Sequence, residues 1–388
     1  MLNRPPAITG IAEIPPRRDA GDDTAMDLVL RVARDAMVDA ALTPADLDGL
    51  LLAPTFLGAP ITVASMVADA LGIRPAYCDV VDLGGASAAG MVWRAAAAIE
   101  AGACRAVLCV LAEGPDPRPG TRPLTWAGLP LAQWERPYGP MGATSGYALA
   151  AARHTYEYGT TDEQRAKVAV DQRTNACANP AAIFHGAPIT VADVLASPLV
   201  CDPLHLLEVV MPCWGASAFV VARADVARVG PHPPVTLRGF GEQVTHSSLV
   251  SLPDITRTGI TESAGRAFAG AGVAHGDIDL LSVYDCYTIT VILTLEDAGF
   301  CAKGAGGPFA ADHDLTYAGD LPCNTHGGQL SYGQAGLAGG ASHVTEAVVQ
   351  LRGDADGRQV PDCGLALVNG NGGILAEQCT LILERVDR

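Results

Sequence analysis

Two tyrosines, a cysteine and a glutamine are the groups in this chain whose types and surroundings fit them for proton transfer or nucleophilic attack. Tyr284 and Cys286 flank Asp285 in "VYDCYTIT", followed at once by Tyr287. Tyr332 and Gln334 lie in "GGQLSYGQAG", a glycine-rich loop of the kind that brings backbone close to a ligand. A phenol serves as a general acid or base only when its pKa is lowered or the task suits a weak acid. A thiol titrates nearer neutrality and can act as nucleophile or base, although many cysteines are simply buried. If the strand before Tyr284 persists, Tyr284 and Cys286 share one of its faces. Asp285 is then placed to cap the helix that follows.

Three further loops carry polar groups or free backbone. "DLGGASAAG" runs from a strand into a helix, so the N–H groups around Gly85 lie where a helix N-terminus stabilises negative charge. Ser87 in that loop reads as a helix-capping serine in a tight turn, since no histidine is near it in sequence. "CNTHGG" adds His326, a loop hydrogen-bonding residue or a catalytic one, and His343 on the following helix reads as a packing or surface residue. "NGNGG" holds Asn369, Asn371 and Gly373. The two amides can donate to a carbonyl oxygen, and the plainer reading is a hairpin-type turn.

The elements around these loops alternate. "AITGIAEI", "GLLLAP", "AYCDVVDLGG" and "RAVLCVLAEG" read as strands, separated by helical patterns in "AMDLVLRVARDAMVDAAL", "TVASMVADALG" and "ASAAGMVWRAAAAIEAG". Parallel βαβ units fit that rhythm. From residue 114 the texture turns rich in proline and glycine, and then gives two helical patterns before "WGASAFVVARAD" returns to a buried strand. An excursion of this kind usually covers a site. The second half repeats the order with "PPVTLRGFGEQV", "ITESAGRAFAGAGV", "DIDLLSVYD", "TITVILTLEDAGF", "ASHVTEAVVQLRG" and the strand pair "LALVNGNGGILAEQCTLILERV". Both halves end on a strand pair, the pattern of an internal duplication.

Composition narrows the function. Of 388 residues, 49% are hydrophobic and 17% charged, which calls for a large core or an oligomer interface. A net charge of −17 argues against binding nucleic acid or an acidic membrane, which need clustered Lys and Arg. No apolar run reaches the roughly 18–20 residues that span a bilayer, and the N-terminal stretch lacks a secretory pattern. The eleven cysteines form no CxxC pair, which fits reduced thiols in a cytoplasmic protein. The histidines lack metal-ligand spacing, so no bound metal is expected.

Taken together, "GGASAAG", "HTYEYGTTDEQRAKVAVDQRTNACANPAA", "YDCYTITVILTLEDAGFC", "NTHGGQLSYGQAGLAGGASHVTEAVVQLRG" and "NGNGG", in this order, resemble the thiolase superfamily in its sterol-carrier-protein-type branch. The resemblance covers nearly the whole chain. It implies an α/β thiolase fold: two duplicated βαβαβαββ halves in a five-layered α-β-α-β-α body, forming a dimer. The expected division is an N-terminal half at 1–230, with an inserted loop domain at about 114–205, and a C-terminal half at 231–388. The resemblance also implies what is absent. Thiolases carry a nucleophilic cysteine where this chain has Gly85, and a histidine where it has Gln334. Their later Cys-x-Gly loop is Asn369-Gly370-Asn371 here, and the branch's His-Asp-Cys-Phe is Tyr284-Asp285-Cys286-Tyr287.

Without that first cysteine no acyl-enzyme forms at Gly85. The residues then resemble those of the superfamily's aldolases of the lipid-transfer-protein type, which cleave β-hydroxyacyl-CoA in steroid side-chain degradation. The expectation is a retro-aldolase in which Tyr284 or Tyr332 moves the proton. N–H groups near Gly85 and Gly373, with Asn371, would hold the enolate. Coenzyme A enters as part of the substrate, and no separate cofactor is expected. The expected partners are a second copy of the chain and an OB-fold, zinc-ribbon acyl-CoA-binding protein. The alternatives are a degenerate acyltransferase using Cys286, or a non-catalytic acyl-CoA-binding subunit. Trp126, Trp134 and Tyr138 would line a hydrophobic pocket or pack the loop, and Arg118, Arg122 and Arg136 are the expected phosphate contacts.

Overall fold

The computed structural model describes residues 5–19, 21–54, 62–113, 131–139 and 142–386. Arg118, Arg122 and Trp126 lie outside the described residues. The first half runs β1 (Ala7–Arg17), α1 (Ala25–Asp39), β2 (Gly49–Leu52), α2 (Val63–Leu71), β3 (Tyr77–Val80), α3 (Ser87–Glu100) and β4 (Ala106–Glu113). The excursion contributes α4 (Ala143–Tyr158), α5 (Asp162–Cys177), α6 (Val191–Ala196) and the short pair β5 (Leu199–Cys201) and β6 (Leu204–His205). Strand β7 (Trp214–Ala222) closes the half, and α7 (Ala224–Ala227) leads out of it. The second half runs β8 (Val235–Val244), α8 (Ile260–Ala271), β9 (Leu280–Val283), α9 (Thr288–Asp297), α10 (Gly306–Asp312), α11 (Gly328–Ser331), α12 (Gly339–Arg352), β10 (Leu365–Gly372) and β11 (Glu377–Arg385).

Local signals explain where the helices begin and end. Helix α1 opens on a capping box, with Thr24 accepting from the Asp27 N–H and Asp27 reaching back to Thr24. Thr161 and Gln164 do the same for α5. Glycines in the left-handed region close α2 at Gly72, α8 at Gly272 and α12 at Gly353.

Among the described residues nine strands form one sheet in the order β3-β2-β4-β7-β1-β8-β11-β10-β9. From its centre outward the first half reads β1, β7, β4, β2, β3, and the second reads β8, β11, β10, β9. The duplication expected from sequence is therefore a topological fact: first strand, last strand, fourth, then second, in both directions. The third strand of the second half has shrunk to a single parallel bridge between Cys323 and Leu281. The halves join through two residue pairs, Ala7 with Thr236 and Ile8 with Val235.

Side chains alternate across this sheet and so build three large cores against it, beside two small clusters around α5. Leu50 and Leu52 pack with Leu28, Val32 and Ala36 of α1 on one face, while Leu51 points to the other. There α3 and α12 lie between the two half-sheets and are buried on nearly every side. Helix α3 fits because half of its sequence is Ala and Gly, and α12 brings Val344, Val348 and Leu351. A fully buried leucine of this kind contributes about 1.5–3 kcal/mol. The third core holds α8 and α9 against Leu281, Val283, Leu367 and Ile382, with Tyr147 and Ala150 of α4 added. The layers are thus α1/α2, sheet, α3/α12, sheet, α8/α9. Among the described residues no helix is long and apolar enough to cross a membrane.

Candidate functional site

The N-termini of the two middle-layer helices converge. A β-carbon at Gly340, in the first turn of α12, would lie 2.1 Å from the Gly85 carbonyl oxygen just ahead of α3. Glycine there is what lets the two helix ends meet, and the site forms at the seam of the halves. Ser87 is not the cap expected of it: it is the first residue of α3, whose N-cap is Ala86 with no side-chain cap, and its hydroxyl ties the preceding turn by donating to the Gly84 carbonyl (2.7 Å) and accepting from the Leu83 N–H (2.9 Å).

Strand β9 ends at Val283, so the sequence expectation that it carries Tyr284 and Cys286 on one continued face is corrected. The chain turns, and Tyr284 lays its ring against Gly85. Its hydroxyl accepts a hydrogen bond from Gln334 Nε2 at 3.1 Å, and Gln329 also faces it. Burial, reinforced by the nearby Cys286, pushes the Tyr284 pKa far above the ordinary phenol value. Cys286 is buried against the Tyr147 hydroxyl, and burial also pushes its thiol well above the usual range. Tyr147 accepts from Asn371 Nδ2 (2.8 Å) and stacks on Tyr287 with ring centroids 4.4 Å apart. Tyr287 meets Thr144 Oγ1 at 2.7 Å. The wall is therefore made of neutral donors, not of an ionised nucleophile.

Asp285 is fully buried but does not cap α9, whose N-cap is Tyr287. It accepts instead from the N–H groups of Gln329 (2.7 Å) and Leu330 (3.2 Å), capping α11 in the glycine-rich loop. His343 Nε2 lies 3.3 Å from the same carboxylate and 3.1 Å from Gln329 Nε2, and its Nδ1 faces Ser282. This is a packed, partnered histidine. His326 meets Ser342 Oγ through Nε2 at 3.1 Å, while its Nδ1 is buried without a partner. Burial and the adjacent His343 hold it neutral, well below the usual imidazole range.

Two other expectations need correction. Asn369 to Gly372 belong to β10, and the turn begins only at Gly373. Asn371 has both ends of its amide engaged, by Tyr147 and by Gln378 Nε2 (2.8 Å), and Asn369 donates to Thr380 (3.2 Å). Each amide nitrogen thus spends one of its two N–H groups inside the protein, and Asn369 Oδ1 is buried without a partner among the described residues. The Gly373 nitrogen lies beside Gly84, 2.9 Å from where a β-carbon on that residue would be. Tyr332, although two residues from Gln334, turns its hydroxyl away from Tyr284 and donates to Glu13 Oε2 of β1 at 3.0 Å. Trp134 and Tyr138 are 61% and 86% exposed, so they pack little against the described residues, and Arg136 is exposed as well.

Glu13, Gln329 and Tyr147 were not singled out in the sequence. Glu13 had left a signal: it shares a strand face with Ile11, where a carboxylate breaks the apolar pattern. Tyr147 had none, because only the packing of α4 onto the second half brings it in.

Fold and site together define a duplicated, five-layered α/β protein with a neutral, phenol-lined site where its two central helices begin, which is the thiolase architecture. A family model described as thiolase C-terminal domain-like matches residues 241–385. A steroid side-chain-cleaving aldolase of Thermomonospora curvata is 34% identical over 386 residues, covering 93% of this chain and 97% of that protein. An acetyl-CoA acetyltransferase of Methanothermobacter thermautotrophicus is also 34% identical, over 355 residues, 89% of this chain and 91% of that one. The solved "Ltp2-ChsH2(DUF35) aldolase" superposes with a TM-score of 0.87 at 31% identity, covering 98% of both chains. The chain belongs to the thiolase superfamily. Identity alone does not choose between transferase and lyase, so the choice falls to the site.

Proposed function

We propose that this protein is a carbon–carbon lyase, a retro-aldolase acting on a β-hydroxyacyl-CoA such as a steroid side-chain thioester, with no covalent acyl-enzyme. The observation that carries this reading is the Tyr284 ring lying where a side chain at residue 85 would project. A nucleophile at the start of α3 has no room, and Cys286 is held as a neutral thiol. The similarity to a steroid side-chain-cleaving aldolase and to a solved aldolase supports the same choice.

Retro-aldol cleavage needs a base for the hydroxyl proton, donors for the thioester enolate and an acid for its carbon, and no nucleophile. As the Cα–Cβ bond breaks, the β-hydroxyl proton passes to water in the site; Tyr284, kept protonated by burial, is the donor and acid of this set, giving its proton to the enolate carbon and regaining one from water. Gln334 orients its hydroxyl, and N–H groups at Gly85 and Gly373 hold the thioester oxygen. Asn371 contributes by fixing Tyr147.

The reading extends to partners. The solved Ltp2-ChsH2(DUF35) aldolase carries DUF35 in its name, and we expect an OB-fold, zinc-ribbon acyl-CoA-binding protein of that kind here. We also expect a homodimer. Strand β3 is an edge strand with Cys78, Asp79 and Val80 exposed, an unpaired edge that native proteins normally cover.

The test is incubation of the purified chain, with and without such a partner, with a β-hydroxyacyl-CoA carrying a steroid nucleus. Mass spectrometry should find a ketone and the shortened acyl-CoA. CoA-dependent thiolysis, or an acyl adduct on Cys286, would overturn the reading.

A further inference from the structure

Glu13 lies in the middle layer on β1, in register with Ser217 of β7. Its partners are hydroxyls. Tyr332 donates to Oε2 (3.0 Å), Ser217 donates to Oε1 (3.1 Å), and Thr345 of α12 faces it. The charged neighbour it feels most is another carboxylate, Glu346 of α12, itself paired with Arg358. A half-buried carboxylate held by hydroxyls alone is costly, and such groups cluster at functional sites.

The bond it makes is with the catalytic loop. Tyr332 ends α11, and two residues later Gln334 reaches Tyr284. Asp285 fixes the start of this loop and Glu13 its end. We propose that Glu13 is a positioning residue for the lyase reaction: its carboxylate anchors Tyr332 and thereby aims the Gln334 amide at the Tyr284 hydroxyl, so the reaction runs with Glu13 ionised. This inference rests on the lyase reading for its kinetic test and on geometry alone for its spectroscopic one.

Burial raises the Glu13 pKa from 4.5 to about 7, against the lowering effect of the hydroxyls. Activity and stability then carry opposite signs. As pH falls through about 7 Glu13 takes a proton, its bond to Tyr332 loses charge assistance and turnover falls. Stability moves the other way. A carboxylate whose folded pKa is raised contributes stability that is complete below its unfolded value, about 4.5, and lost as pH rises through about 7.

The test compares the wild type with Glu13→Gln and Tyr332→Phe. Wild-type kcat should show an acid limb centred near 7. Glu13→Gln should behave like the protonated form at every pH, with the limb gone, kcat down about tenfold or more, and KM little changed. Difference infrared spectroscopy should show a carboxyl band titrating near 7 that is absent in Glu13→Gln. In Tyr332→Phe the band's midpoint should move higher, because a stabilising donor is lost. Glu13→Gln should also raise the Tm at pH 8 and change it little at pH 4.5. A Glu13→Gln enzyme that keeps the wild-type limb and rate, or a Glu13 band in the ordinary carboxylate range, would overturn the proposal. Wild-type protein that cleaves no β-hydroxyacyl-CoA would instead sink the lyase reading, and the infrared and Tm comparisons would still decide Glu13.

Discussion

The Tyr284 ring and Gly85 exclude one another's side chains: a β-carbon at residue 85 would lie 2.3 Å from both Cε2 and Cζ of that ring, and 2.4 Å from the Asn371 carbonyl oxygen. The loss of a nucleophile and the gain of a phenol are therefore a single structural change. Gly85→Ala should overpack this contact and destabilise the fold by about 1–3 kcal/mol, read from denaturant midpoints. Combined with Tyr284→Ala its further cost should shrink, the non-additivity expected of residues in contact, and what remains should report the approach to the Asn371 carbonyl. Gly85→Cys should gain no acyl-enzyme.

Tyr284→Phe removes the hydroxyl but keeps the ring. If Tyr284 donates to charge that develops on the thioester, kcat should fall by about 10²–10³ with KM little changed. Gln334→Leu should cost less, since it orients the donor without being it. Steady-state kinetics with one β-hydroxyacyl-CoA settles both, and a Tyr284→Phe enzyme of undiminished kcat would remove Tyr284 from the mechanism.

Cys286 should be inert in the folded protein. Burial keeps its thiol protonated across the working pH range, and the thiolate is the reactive form. Peptide mapping after iodoacetamide at pH 8 should find Cys286 unmodified until the chain is unfolded. Cys286→Ala should retain turnover within a few-fold.

Asp285→Ala should be among the more damaging changes near the site. It strips two N–H groups of α11 of their charged acceptor, a loss of about 1.5–3 kcal/mol, and frees the start of the loop that carries Gln334. Chemical unfolding should show the lower stability, and turnover should fall with it.

Val80→Lys places a charge on the exposed edge of β3. Sedimentation should show the wild type as a dimer and the variant shifted toward monomer. An unshifted dimer would place the interface elsewhere.

The order of elements was legible in the sequence because helix caps, terminal glycines and the periods of apolar residues act within a few positions of one another. Thr24 with Asp27, and Gly72 at the end of α2, are examples. The repeated order of strands and helices in the two halves is also local information. The family resemblance added that Gly85 and Gln334 stand where thiolases carry cysteine and histidine, but it left Cys286 open as a nucleophile, and its burial is a tertiary fact. What the sequence left open depended on contacts between distant segments. Asp285 passes over the helix beside it and accepts from the N–H groups of Gln329 and Leu330, 44 and 45 residues away, a choice that no local pattern around it announces. Tyr332 and Glu13 are 319 residues apart, and only the stacking of α12 and its preceding loop on β1 brings them together. Residue type established that two tyrosines belonged to this region. The layered packing decided that one faces Gly85 and Gln334 while the other is tied to a carboxylate on the first strand.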